Sequence, residues 1–367
     1  MSDRLDLQAL NRALLARQLL LARSTRSTVE AIEHLVGMQA QIPNSPYLGL
    51  WTRLDRFDPA TLSRMITGRR AVRAALMRGT LHLCTARDYL SIRPLVQTVL
   101  TRGLNGNFGR YLKGLGPQRI AEAGRRLLEK QPRGMAEISS LLQARWPDRD
   151  ARTLGYAVQY LLPIVQLPPR GVWGATGPVI WATAKGWLGR PLKNPPRALD
   201  RLVLRYLAAF GPASVMDMRS WSGIAGLREV VDRLRRRLRT FKSSEGDELF
   251  DLPDAPRPHR DTPAPPRFLP FYDNVLLGHA DRSRVIPDGG GKWFFPTEGL
   301  LVGTILVDGF LAGRWRIGQQ RDRATLLIDP FVRLRKDNRT ALIQEGRRLL
   351  GFAAAGAAHD IRINNLS

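Results

Sequence analysis

Acid is what this 367-residue sequence lacks most: 32 Asp and Glu face 57 Lys and Arg, a formal net charge of +25 at pH 7. An excess of that size, spread along the chain, implies a polyanionic partner, most often nucleic acid. A ribosomal-type protein or one held at an anionic membrane surface would carry the same signature. Cysteine is almost missing, and the single Cys84 excludes an internal disulfide. The five histidines, His34, His82, His259, His279 and His359, are not spaced as paired ligands, so no structural zinc site is expected. Long hydrophobic runs are absent too. The longest, residues 349–358, has ten residues against the ~20 that span a bilayer. The opening MSDRLDLQAL lacks the apolar core of a signal peptide. These absences point to a cytoplasmic monomer without metal, cofactor or membrane contact.

Familiar catalytic signatures are missing as well. There is no Walker-type loop, no GxSxG elbow, no HExxH and no acidic pair on one helix. Gly289-Gly290-Gly291-Lys292 lacks P-loop spacing and reads as a flexible turn. Lysine is scarce, at seven of the 57 cations. The arginine bias suits bidentate phosphate contacts, and a GC-rich genome would produce it equally well. What is present is a chain with 44% hydrophobic residues, too apolar for a disordered basic tail and long enough for two or three cores.

Periodicity predicts a helix over 7–22, then a second helix opened by the capping box Ser27/Glu30. This second helix is expected to run through Gln39 and end before Pro43. Asp58-Pro59 starts a helix to about 66 that Gly68 stops, and 71–85 reads as two strands around Arg78-Gly79-Thr80. The order recurs: helices over 134–146 and 151–162, then strand, turn and strand over 165–181. A third copy has helices at 199–210, 214–221 and 227–238, then a hairpin over 240–252. Helices followed by a hairpin are the pattern of a winged helix. The expected class is α+β, with unit one in 1–115, unit two in 116–196 and unit three in 197–254. Residues 255–367 would hold a proline-rich connector (253–266 in composition), a small β-barrel and a C-terminal helix over about 338–355. The barrel strands are expected at 294–295, 300–307, 310–317 and 326–328, with a last strand at 361–363.

Three tandem DNA-binding units without catalysis would make a regulator. The feature that suggests more is Gln39-Ala40-Gln41, followed by Ile42-Pro43. If the helix unwinds there, two amides converge and, each being donor and acceptor, could hold a water between them. Equally, they could cap carbonyls at a frayed helix end. Candidate phosphate contacts are Arg78 and Arg170 in the first two hairpin turns, Arg235 and Arg237 closing the third unit's helix, Lys242 in its hairpin, and Arg282. The whole run Arg233, Arg235, Arg236, Arg237 and Arg239 cannot share one face, so about half of it is expected to be solvated. His34 and His82 are read as packing residues, and His279, Asp281 and Arg282 as orienting the barrel.

The segments HLVGMQAQIPNSPYLGLW (34–51), ALMRGTLHL (75–83), GPASVMDMRSWSGI (211–224) and LPFYDNVLLGHADRSRVI (269–286) resemble the AlkZ family. These are bacterial winged-helix DNA glycosylases linked to self-resistance against DNA-alkylating and crosslinking natural products. The resemblance implies three winged helices around a basic channel with a C-terminal β-barrel. It also implies a catalytic Gln-x-Gln, matched by Gln39 and Gln41, as opposed to the Gln-x-Asp of another branch. The expected activity is monofunctional hydrolysis of the N-glycosidic bond of N7-alkylguanine, including unhooking of interstrand crosslinks, in double-stranded DNA. Guanine alkylated at N7 is cationic and leaves neutral, so positioning a water suffices without strong general-base catalysis. A crosslinked base resists a closed pocket, which favours an open channel.

Overall fold

The computed structural model describes residues 4–287 and 301–365. The expected turn at 289–292 and strand at 294–295 lie outside them. The first helix, Leu7–Arg17, is opened by Asp6, whose carboxylate accepts from the Ala9 amide at 2.8 Å. It stops five residues before the expected 22, because Leu19 turns to φ 57°. Its inner face is polar as well as apolar. Buried Asn11 donates to the Arg284 and Gly309 carbonyls at 2.7 and 2.8 Å, tying this helix to the far end of the chain.

The order helix, short strand, helix, helix, hairpin then occurs three times. The first copy is Thr28–His34, Met38–Gln39, Ser45–Arg53, Pro59–Thr67 and the hairpin Ala71–Ala75 with Leu81–Thr85. The second is Pro117–Lys130, Arg133–Gly134, Met135–Arg145, Ala151–Leu161 and Ile164–Gln166 with Ile180–Thr183. In the third, Ala198–Phe210, Val215–Ser222 and Leu227–Leu234 precede Arg239–Ser243 with Glu248–Asp251, and a single bridge from Ala213 to Phe250 replaces the short strand. The Ser27/Glu30 capping box forms as expected, and Ser214 and Asp217 make a second one.

One expectation fails at the point that matters most. The helix opened by Ser27 ends at His34, and Met38–Gln39 is a strand. Val36 and Gly37 take φ 56° and 88°, which break the helix. A Cβ on Gly37 would stand 3.1 Å from the Leu83 carbonyl oxygen, so glycine lets this turn approach the hairpin.

The hairpins of the first two copies join where Arg73 pairs with Gln166, giving one six-stranded sheet. The third hairpin takes Arg4–Leu5 as a parallel edge strand. The segment 167–179 is not a free turn: Tyr47 donates to the Gly171 carbonyl at 2.9 Å and accepts from the Trp173 amide at 3.0 Å. The Trp173 ring lies against Tyr47 and Phe352, at centroid distances of 5.0 and 5.1 Å.

The C-terminal sheet runs Arg267–Pro270, Leu301–Val307, Phe310–Gln320, Arg323–Pro330, Ala358–Ile363 in hydrogen-bonding order. A closed barrel is not formed among the described residues, since the first and last of these strands do not pair. The reason is the helix Lys336–Ala353, which carries Leu342, Leu349 and Leu350 into one core with Phe268, Leu326 and Ile328 and crosses over to make the last strand parallel. Gly346 allows that approach, since a Cβ there would meet Leu326 Cδ2 at 2.8 Å. Among the described residues no helix is long and apolar enough to cross a membrane.

Candidate active site

Strand alternation decides which way the glutamines face. Met38 and Ala40 enter the core formed with Ile32, Leu50 and Leu83, and the side chains between them take the other side. Met38 pairs with Leu83 and Gln39 with His82, and the Ala40 amide donates to the Leu81 carbonyl at 2.8 Å. Gln39 is buried and Gln41 exposed.

Both carboxamides are tied to the protein through their oxygens. Arg78 Nη2 donates to Gln39 Oε1 at 2.7 Å, and the Leu81 amide donates to Gln41 Oε1 at 3.2 Å. The backbone between them is held as firmly. Arg73 Nη2 donates to the Ala40 carbonyl at 2.7 Å, while its Nη1 donates to Gln166 Oε1 at 2.7 Å. On the other flank Asn274 accepts from the Gln39 amide at 3.2 Å and donates to the Gly37 carbonyl at 2.6 Å. Residues from 33 to 235 positions away in sequence thus converge on one tripeptide.

The titratable side chains beside the motif are one histidine and two arginines. His82, opposite Gln39, is pushed down to about 3 by burial and then by Arg78, so its ring is neutral, with Nδ1 2.9 Å from the Thr80 carbonyl. Arg78 and Arg73 are each lowered to about 10, by burial first and then by Arg282 and Arg170 respectively, and both stay cationic near neutrality. Among the described residues no carboxylate hydrogen-bonds either glutamine, and no group of three or more His, Cys, Asp and Glu could hold a metal ion. The arrangement can orient a polar molecule through fixed amides. Among the described residues, no carboxylate is bonded to either glutamine that could deprotonate one.

The other expected residues divide. Arg78 turns inward to Gln39, and exposed Arg282 lies near enough to Arg78 to act on its charge. Arg170 sits in the packed segment and donates to the Gly177 carbonyl at 3.2 Å. Arg235 pairs with Glu248 at 3.0 Å and lies over Phe250, whereas Arg237 and Lys242 are exposed on the same repeat. His34, half-buried, has Nε2 2.6 Å from the Arg17 carbonyl, and His279, buried, has Nε2 3.0 Å from that of Phe210. Arg73, Asn274 and Trp221 were not singled out from sequence, although the last two lie in segments that carry the family resemblance.

The chain matches the family described as DNA glycosylase AlkZ-like over residues 32–352, and it belongs to that family. It is 23% identical to an interstrand DNA cross-link repair glycosylase of Streptomyces sahachiroi, with 86% of this chain and 88% of the relative covered. The solved structure of the Streptomyces sahachiroi DNA glycosylase AlkZ superposes with a TM-score of 0.77 at 19% identity, covering 98% of this chain and all of that one. This chain is a distant homologue, and the likeness in structure is one of fold.

Proposed function

We propose that the protein is a monofunctional DNA glycosylase that hydrolyses the bond between C1′ and N9 of N7-alkylated guanine. The observation that carries the reading is the pair Gln39 and Gln41 on one side of an anchored strand, with no ionisable base among the described residues bonded to either. Water held by the two amides attacks C1′ as the bond to N9 breaks and its electron pair returns to the cationic base. The alkylguanine leaves neutral, and the water's proton passes to solvent. The three helix-and-hairpin repeats act as winged helices around a basic channel, in which Arg237, Lys242 and Arg282 contact phosphates. The relative's crosslink repair suggests that this chain also unhooks guanine–guanine crosslinks, which suits a site open to solvent at Gln41.

The test is base release from duplexes carrying methyl, bulky or crosslinked N7-guanine, in the presence of chelator. Free alkylated base and an abasic site are expected, with undamaged and neutral lesions left intact. Tight DNA binding with no release from any of them would make the protein a non-catalytic winged-helix regulator.

A further inference from the structure

Arginine offers donors only, so whatever oxygen it binds is fixed as an oxygen. That property matters at Gln39, whose carboxamide could otherwise turn over and present NH2 where a carbonyl is needed. We propose that Arg78 is a positioning residue of the glutamine site, locking the Gln39 carboxamide in one orientation and leaving DNA phosphates to other cations. The inference rests on the glycosylase reading of that same strand.

Four observations place Arg78 in this role. Its Nη2 donates to Gln39 Oε1 at 2.7 Å, and its Nη1 donates to the Trp221 carbonyl at 2.7 Å, so both ends of the fork are occupied inside the protein. The backbone makes an unusual turn to deliver it: Arg78 has φ 56° and Gly79 φ 73°. The third repeat is pressed against that turn, because a Cβ on Gly223 would lie 3.5 Å from Arg78 Cα. Exposed Arg282 stands close by and supplies cationic charge on the solvent side.

The chemistry accommodates a cation here. A carbonyl oxygen has two lone pairs, and Arg78 occupies one of them. The second remains for a proton of the attacking water. A half-buried cation would oppose formation of a cationic sugar, but the N7-alkylated substrate is already cationic. Its charge migrates from base to sugar without increasing, so the repulsion differs little between ground and transition states.

The experiment compares Arg78→Lys, Arg78→Ala, Gln39→Ala and the double variant Arg78→Ala/Gln39→Ala. Single-turnover release of N7-methylguanine and duplex affinity at several salt concentrations are measured for each. Positioning predicts a rate loss of roughly 10- to 100-fold for Arg78→Ala, with affinity and salt slope unchanged. The double variant should be no slower than Gln39→Ala, and millimolar guanidinium should restore part of the Arg78→Ala rate. A phosphate contact would instead lower affinity and reduce the salt slope by about one, which overturns the proposal. Parental rates in Arg78→Lys and Arg78→Ala also overturn it. Should the parental protein release no base, the glycosylase reading fails separately. The Arg78 contact is then judged by the side-chain amide resonances of Gln39 in [15N]glutamine-labelled Arg78→Lys protein. A shift of that one amide upholds the lock, and unchanged resonances reject it.

Discussion

Arg17 and Asp251 form a two-pronged ion pair, at 2.6 and 2.8 Å, with both side chains fully out of solvent. Arg257 adds a further donor to the same carboxylate, so one acid closes the third hairpin against the first helix and the connector. Removing the acid strands two guanidinium groups, one of them in the interior. Asp251→Ala should destabilise the fold by about 3–5 kcal/mol, more than an ordinary surface change. Urea unfolding measures it; a midpoint within error of the parent would show that the pair is dispensable.

The two glutamines should separate catalysis from binding. Gln39→Ala or Gln41→Ala removes no charge, so duplex affinity should hold while single-turnover rate drops. A loss of about 2–4 kcal/mol each corresponds to roughly 30- to 1000-fold. The double change should fall short of the sum, since both amides serve one water. Gln41→Asp should retain activity. Parental rates in both alanine variants, with the fold intact, would reduce the pair to strand-end hydrogen bonds.

Salt dependence should single out the cations that face DNA. If six to ten phosphates are neutralised, affinity falls roughly 10³–10⁵-fold between about 50 and 200 mM salt. Arg237→Ala and Lys242→Ala should each lower the slope of that plot by about one. Arg235→Ala should lower it less, because Glu248 already pairs with its guanidinium. Equal effects from all three would show that DNA binding breaks the Arg235–Glu248 pair.

Buried histidine makes the fold acid-sensitive. His82 titrates near 6.5 when unfolded and about 3 when folded, so between those values the unfolded chain binds a proton that the native one does not. Stability therefore rises with pH through that window and is complete above it. His279 acts in the same direction, held down by burial and then by Arg284. Between pH 4.5 and 6, His82→Asn should flatten the stability profile by nearly one proton. An unchanged slope would mean that His82 is charged in the native state.

Much of the fold was legible because its signals are local. Ser27 with Glu30, Asp58 before Pro59, and the Gly211-Pro212 break each act within a few residues. The strand Met38–Gln39 is not legible locally, since its partners Leu83 and His82 lie 45 and 43 residues on and the apolar residues before it continue a helical pattern. The alternation of Met38-Gln39-Ala40-Gln41 was the available clue. Barrel closure, not found among the described residues, is illegible for a similar reason: it depends on where helix Lys336–Ala353 settles, which strand spacing does not show. At the site, the glutamines were readable as a motif. Arg78 stands out as a cation in a hairpin turn, but nothing local reveals that Gln39 and Trp221 accept from it.

The shared sheet of the first two repeats has a consequence for how this protein can change over time. Repetition normally makes parts interchangeable, so that one copy can be lost, added or borrowed. Here Arg73 spans the seam to Gln166 while also gripping Ala40, and Tyr47 holds the loop of the neighbouring copy. Deleting the second repeat would remove a support of the glutamine strand, though that strand belongs to the first. The copies therefore have to be inherited together. The turn at 243–247, between the strands of the third hairpin, lies outside that seam.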